Sequence, residues 1–404
     1  MDKTVPPGRV KGTLTPPCSK SYAQRALAAA LLSEEVSVLR NIEFCDDTRS
    51  ALQCIETLGA RVRRVDPTSL SIEGGLSPKG CVLNVGESGL STRLFTPVAS
   101  LCPTPVTIEG RGSLLRRPMQ MMFEPLRRLG VRVRDNGGFL PIEVCGPIQG
   151  GEAEVDGSVS SQFITGLLLA LPLLDGESRL RAESPIQSRP YIDMTLDSMK
   201  RHGVSVTQGK NEFIIAPQRY LGCDRAVESD WSHAALWLAA RELGNDISIL
   251  GMTEKSVQGD RIFMEYLRAL HSNRDIALDV SQCPDIVPPL ALAAALRSGR
   301  CDITHAARLR YKECDRLDAV SCVLNALGAD IVQLEDGLII RGVPKLRGGA
   351  AVDCRNDHRI AMMAAVAAAV CSDPVIILGA ECVGKSYPDF WKVFRELGGA
   401  ASAV

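Results

Sequence analysis

Aromatic residues are scarce in this 404-residue chain, at 4%, so whatever core it builds must be mostly aliphatic. Neither sign of charge is in excess. The formal net charge of -1 gives no global reason to expect nucleic acid or an anionic membrane as a partner, and confines anion binding to local clusters. No apolar run approaches the ~20 residues that a bilayer-spanning helix takes; the longest charge-free helical candidate runs only from Ile360 to Ser372. The opening residues, MDKTVPPGRVKG, hold neither the apolar stretch of a secretory signal nor a long Arg/Ser-rich presequence. Cysteine is not scarce, at fourteen residues from Cys18 to Cys382, but none forms a Cys-x-x-Cys pair or a Cys/His zinc array. Reduced thiols in a cytoplasmic protein with no metal site are the expectation, since disulfide frameworks belong to small secreted chains.

What is present is length and repetition. A chain of this size exceeds a single hydrophobic core, so two domains are expected. An amphipathic helix ending in Leu-Gly or a relative, followed at once by a strand-like run, recurs at Glu56 to Val62, Arg128 to Val133, Arg201 to Val206, Ala326 to Ile331 and Glu396 to Gly399. Glycine suits the left-handed residue that stops a helix, and the alternation after it suits a half-buried strand. A degenerate sixth copy is expected near Leu267 to Ala277. Each copy is accompanied by a second helix, apolar nearly all round: Ala23 to Leu32, Leu90 to Ser100, Gln162 to Leu171, Ala234 to Leu243, Val287 to Ala295 and Ile360 to Val370. Helices of that kind are buried ones. The predicted fold is therefore α/β, with two inside-out domains, each of three repeated βαβαββ-like subdomains wrapped around buried parallel helices. Counting repeats places a crossover at roughly residues 217 to 229.

Polar clusters precede the buried helices. Ser19, Lys20, Ser21 and Arg25 sit at the first; Gly86 to Gly89 leads into the second, which holds Arg93; Asp156 to Gln162 offers hydroxyls before the third. Asp285 precedes the fifth, Arg310 to Arg316 follows it, and Asn356, Asp357, His358 and Arg359 open the sixth. Any one of these has an ordinary reading as a helix cap or a solvated charge run. Their repetition is the argument for anion binding, because helix N-termini with free backbone donors attract oxyanions; stacked in parallel, they would line one cationic surface per domain, and two facing domains would form one cleft that ligands close. Gly379 to Ser386 fits the P-loop pattern G-x-x-x-x-G-K-[ST] after a strand-like run. Only 18 residues follow it, too few for a nucleotide-binding domain, so Lys385 is kept as a phosphate ligand and the nucleotide is not.

Taken in order, these clusters resemble the 5-enolpyruvylshikimate-3-phosphate synthase family across essentially the whole chain. The residues that carry the resemblance are Ser19 to Ser21 with Arg25, Asp156 to Phe163, Ser188 to Asp193, Lys312 to Arg316, Asn356 to Arg359, and Lys385 with Pro388 to Phe390. The resemblance implies transfer of the enolpyruvyl group of phosphoenolpyruvate to shikimate 3-phosphate, without cofactor, metal, nucleic acid or membrane, by a monomer. It implies a C-terminal, phosphoenolpyruvate-side domain of residues 1–16 plus 229–404 and an N-terminal, shikimate 3-phosphate-side domain of residues 17–228. It assigns shikimate 3-phosphate to Lys20, Ser21, Arg25, Ser160, Ser161, Gln162, Ser188, Asp285 and Lys312, and phosphoenolpyruvate to Lys20, Gly89, Arg117, Gln162, Arg316, Arg359 and Lys385. Asp285, Glu313 and Lys20 are the acid/base candidates.

The chain departs from the family pattern at Cys18, where glycine is usual, at Glu87 and Leu90 around the glycine turn, and at Arg308, where asparagine is common. The family's arginine of the next loop falls near Ser113 to Leu115, so Arg116 or Arg117 has to serve. A related UDP-N-acetylglucosamine enolpyruvyl transferase lacks the Ser160-Ser161-Gln162 signature. A non-catalytic phosphate sensor would have no use for Asp285 and Glu313.

Overall fold

The computed structural model describes residues 1–158, 161–272 and 274–404. The chain forms two compact units, one of Met1–Pro17 with Ser229–Val404 and one of Cys18–Glu228.

In the Cys18–Glu228 unit, the helices Lys20–Leu32, Gly89–Ala99 and Ser161–Ala170 are buried on almost every side. Alanine, leucine and small hydroxyl residues make this possible: Thr92, Thr96 and Ser100 return their side-chain hydroxyls to the carbonyls of Ser88, Thr92 and Thr96 in the same helix, so buried polar atoms stay satisfied. Two of these helices touch closely at Gly166, where an added Cβ would stand 2.5 Å from the Arg93 carbonyl oxygen. Three four-stranded sheets surround them, and amphipathic helices such as Asp46–Thr57 and Arg189–Arg201 complete the repeats.

Among the described residues, three of the five four-stranded sheets follow one pattern in full. The strand before a buried helix pairs in parallel with the strand after it, and a terminal hairpin then adds two antiparallel strands, as in Val82–Asn84, Val106–Glu109, Phe139–Cys145 and Arg132–Asn136. The first sheet of this unit takes its parallel edge from Asp224–Ala226, far along the chain, which pairs with Val36–Arg40.

The second unit has the same construction around Trp231–Glu242, Val287–Ala295 and His358–Val370. Its last sheet is completed by the N-terminal strand Lys3–Val5, antiparallel to Val375–Leu378. The expected sixth copy is incomplete. The helix Phe263–Leu270 is followed by His271 and Ser272 instead of glycine, and no hairpin follows among the described residues. The next strand, Ile276–Asp279, already belongs to the following sheet, paired in parallel with Arg300–Thr304, and this repeat keeps only a two-stranded sheet, Asp246–Ile249 with Lys11–Leu14. Among the described residues, neither His271 nor Ser272 takes the left-handed conformation that ends the other helices of this kind. Among the described residues no helix is long and apolar enough to cross a membrane.

Candidate functional site

Two groups of predicted residues assemble, one within each unit. In the Cys18–Glu228 unit, Ser19 caps the helix Lys20–Leu32 by accepting from the Tyr22 amide. Lys20 then projects at the first helical position, its Nζ 2.7 Å from Asp47 Oδ2, with both side chains largely buried. Arg25, one turn further, is fully buried. Its Nε donates to Thr195 Oγ1 at 2.9 Å, Nη1 to the Ser21 carbonyl at 2.8 Å, and Nη2 to Thr165 Oγ1 at 3.3 Å and the Tyr191 carbonyl at 3.0 Å. No carboxylate among the described residues makes an ion pair with it, and burial lowers its pKa to about 10.

The glycine turn is explained by what lies above it. Arg117 is buried and stands over Gly89, so that a Cβ on Gly89 would lie 2.7 Å from Arg117 Nη1. Arg116, its neighbour, is exposed. Arg93 Nη1 donates to Gln162 Oε1 at 2.9 Å, linking the second and third buried helices. Glu87, where the family pattern differs, accepts from Ser113 Oγ at 3.2 Å, and its carboxylate lies over Gly112, whose φ is +59°. Ser161 starts its helix and is buried, while Ser160 lies outside the described residues. Ser188 precedes the helix Arg189–Arg201 with φ 55°, a left-handed conformation that costs a non-glycine residue about 1 kcal/mol or more and marks an over-determined position.

In the other unit the charge is denser. Asp285 Oδ1 lies 3.3 Å from Lys312 Nζ and 2.8 Å from Arg316 Nη1, and its Oδ2 lies 3.1 Å from Arg359 Nη2. Burial pushes the Asp285 pKa up, but Arg359, Lys312 and Arg316 outweigh it and hold the carboxyl well below the usual range. Arg316 is itself ringed by acids, with Nη2 2.6 Å from Glu313 Oε2 and Nε 2.7 Å from Asp357 Oδ2. Burial opposes its charge, yet Asp357, Glu313 and Asp285 raise its pKa well above the ordinary value. Lys312 goes the other way: burial, only partly offset by Asp285, lowers it to about 8. Glu313 Oε1 is 3.8 Å from Lys385 Nζ, which joins the carboxylate to a second cation.

Local backbone sets this geometry. Arg355 and Asn356 are both left-handed, with φ 52° and 56°, and they swing the chain so that Asp357 caps the helix His358–Val370 while accepting from the Arg359 amide. The P-loop-like segment is no nucleotide loop: it winds into one short 3-10 helix, Ala380–Lys385, and the next α-helix begins only at Phe390. A P-loop lysine sits where the loop enters its helix, and that context is missing.

Several partners were not foreseen. Asp47, Thr165, Thr195 and Asp357 hold the basic residues from positions 27 to 170 residues away along the chain, separations for which one sequence holds no signal. Asp357 alone had a local cue, as an acidic N-cap before an apolar run. Asp260, buried and bonded to Ser232, has its pKa raised to about 7 by burial and then by Asp285. Among the described residues no group of three or more His, Cys, Asp or Glu is gathered as metal ligands would be.

The family described as EPSP synthase (3-phosphoshikimate 1-carboxyvinyltransferase) matches residues 5–394. A 3-phosphoshikimate 1-carboxyvinyltransferase of Clostridium novyi (strain NT) is 38% identical over 420 residues, covering 97% of this chain and 96% of that protein. The protein of the same name from Clostridium perfringens (strain ATCC 13124) is 39% identical, covering 98% of each. Among solved structures, an EPSP synthase from Acinetobacter baumannii superposes with a TM-score of 0.84 at 25% identity over 100% of both chains. The enolpyruvyl transferase NikO from Streptomyces tendae, at 13% identity and a TM-score of 0.81 over 99% of this chain and 98% of its own, shares the fold. A match that spans nearly the whole sequence, on a two-domain inside-out fold common to the solved members, makes this chain a member of the EPSP synthase family.

Proposed function

We propose that the chain transfers the enolpyruvyl group of phosphoenolpyruvate to the 5-hydroxyl of shikimate 3-phosphate and releases phosphate, acting as a monomer in the cytoplasm within aromatic amino-acid biosynthesis. The observation that carries this reading is Asp285 and Glu313, two carboxylates set among Lys312, Arg316, Arg359 and Lys385. A site that only bound anions would gain nothing from carboxylates there, whereas proton transfer beside bound oxyanions requires them.

Shikimate 3-phosphate is assigned to Lys20, Ser21, Arg25, Ser160, Ser161, Gln162, Ser188, Asp285 and Lys312. Phosphoenolpyruvate is assigned to Lys20, Gly89, Arg117, Gln162, Arg316, Arg359 and Lys385. Planar guanidiniums suit bidentate binding of carboxylate and phosphate, and lysines suit point contacts. The burial of Arg117 beside Gly89 supports it over exposed Arg116.

The reaction is an addition followed by an elimination. The 5-hydroxyl oxygen bonds to the central carbon of phosphoenolpyruvate as its methylene carbon gains a proton, giving a tetrahedral intermediate; that intermediate then loses phosphate as the methyl carbon returns a proton. We assign the methylene proton to Glu313 and the hydroxyl proton to Asp285 with Lys20. Asp285 is held strongly acidic by its three cations, so it starts ionised. When substrate oxyanions draw those cations toward themselves, its carboxylate regains basicity at the moment it is needed.

The test is phosphate release from phosphoenolpyruvate with shikimate 3-phosphate as acceptor, beside UDP-N-acetylglucosamine as the alternative. Release with the first acceptor alone is expected, and release with only the second, or with neither, overturns the reading.

A further inference from the structure

One part of the Gly379 to Ser386 segment is unaccounted for by phosphate binding at Lys385. The hydroxyl of Ser386 turns away from solvent and lies 3.1 Å from His233 Nε2. His233 belongs to the buried helix Trp231–Glu242, 153 residues earlier in the chain. Its backbone amide donates to Asp230 Oδ1 at 3.0 Å, and its Nδ1 lies 3.7 Å from the same oxygen. The ring nitrogen and the Ser386 hydroxyl share a hydrogen bond whose donor is set by the imidazole tautomer. His233 and Ser386 are each 1% exposed.

Packing reinforces the link. The His233 ring lies 5.0 Å from the ring of Tyr387, which meets Phe390 at 5.8 Å, and Phe390 stacks on Trp237 of the same helix at 5.7 Å. Ser386 and the residues that follow it are thus packed against one buried helix. Lys385, the residue before it, reaches the charged cluster, with Nζ 3.8 Å from Glu313 Oε1. The sealed trio has the members of a hydrolytic triad, but at 1% exposure its serine has no route to a substrate.

We infer that His233 and Ser386 are positioning residues for Lys385: the hydrogen bond between them sets the backbone from which the lysine ammonium reaches the phosphoenolpyruvate side of the site. This rests on the assignment of Lys385 to phosphoenolpyruvate made above. A flexible lysine loses little when its stem moves in water. In a buried cluster, a shift of a few tenths of an ångström at Ser386 misplaces a charge that cannot be re-solvated.

The experiment compares Ser386→Ala, Ser386→Thr, His233→Phe and Lys385→Met in the full chain, reading KM for each substrate, kcat and Tm. Ser386→Ala and His233→Phe should each raise the KM for phosphoenolpyruvate about 3- to 10-fold, the range expected for loss of one buried hydrogen bond. The KM for shikimate 3-phosphate should stay within about twofold, because only an interaction with one substrate is lost. Ser386→Thr, which keeps the hydroxyl, should restore the parent value, and Ser386→Ala should add nothing in the Lys385→Met background. The inference is overturned if Ser386→Ala leaves the phosphoenolpyruvate KM unchanged, or moves both KM values together with Tm. Should His233→Phe fold poorly, the two Ser386 variants decide alone. If Lys385→Met itself leaves the phosphoenolpyruvate KM unchanged, the assignment of Lys385 fails first and takes this inference with it.

Discussion

Arg25 and Arg316 are both sealed guanidiniums near the start of a helix, one in each unit, yet they are held in opposite ways. Arg25 rests on two threonine hydroxyls and two carbonyls, with no acid in ion-pair contact among the described residues, and burial lowers its pKa to about 10. Arg316 is surrounded by Asp357, Asp285 and Glu313, which raise its pKa despite burial. The first arrangement keeps an uncompensated positive charge close to Lys20 and Ser21, and an arriving anion adds the missing partner. The second is neutralised from within, so an anion has to draw cations away from protein carboxylates, and those carboxylates become basic as it does so. On the assignments proposed above, the first unit would attract an anion and the second would exchange protons.

Removing each arginine in turn separates the two modes of support. Arg316→Leu leaves three acids around a buried gap and should cost about 3–5 kcal/mol of stability, the usual consequence of breaking a buried ion cluster from one side. Arg25→Met removes a buried charge that lacks a counter-ion, and Thr165 and Thr195 already hydrogen-bond each other at 2.8 Å. Its stability should therefore stay within about 1.5 kcal/mol of the parent while activity falls. Denaturant unfolding measures both, and equal losses would erase the distinction.

Glu313→Gln tests the proton-exchange half. The amide keeps shape and much of the hydrogen bonding but cannot cycle a proton, so kcat should fall by about 100-fold or more with both substrates still bound. Exchange of solvent deuterium into the methylene of phosphoenolpyruvate should fall in parallel. If that exchange survives, the proton belongs to Asp285 or Lys20.

Gly89→Ala probes the attracting half. Its Cβ would stand 2.7 Å from Arg117 Nη1, so the guanidinium must move, and the KM for phosphoenolpyruvate should rise about tenfold with little loss of stability. An unchanged KM would remove Arg117 from the site.

The smallest effect is in pH dependence. Lys312 has a pKa lowered to about 8 by burial; above that pH the free enzyme loses a cation, and kcat/KM for shikimate 3-phosphate should decline as pH rises through about 8. Lys312→Arg, which keeps its proton, should move that decline to higher pH. A profile that does not respond would assign the limb to another group.

Much of the fold was legible because its signals are local. The helix-stopping glycines at Gly59, Gly130, Gly203 and Gly328 all have positive φ, and each is read from one residue and its neighbours. The all-round apolar pattern of Ile360 to Val370 likewise needs no partner to be recognised as buried. The copy after Leu270 differs because its strand Ile276–Asp279 pairs in parallel with Arg300–Thr304, a pairing between distant segments that no local signal announces.

The sequence by itself determined the repeating helix–glycine–strand grammar, the aliphatic buried helices, and the order of basic and hydroxylic clusters at helix entrances, because each depends on residues within a few positions of one another. The folded chain alone shows that Lys3–Val5 joins the last sheet and Asp224–Ala226 the first, that Arg117 and not Arg116 is buried on Gly89, and that Lys20 pairs with Asp47, Arg316 with Asp357 and Ser386 with His233. Strand pairs and ion pairs between distant segments are chosen by burial: a charge taken out of water must find its partner wherever the fold brings one, and nothing in the local sequence says where that is.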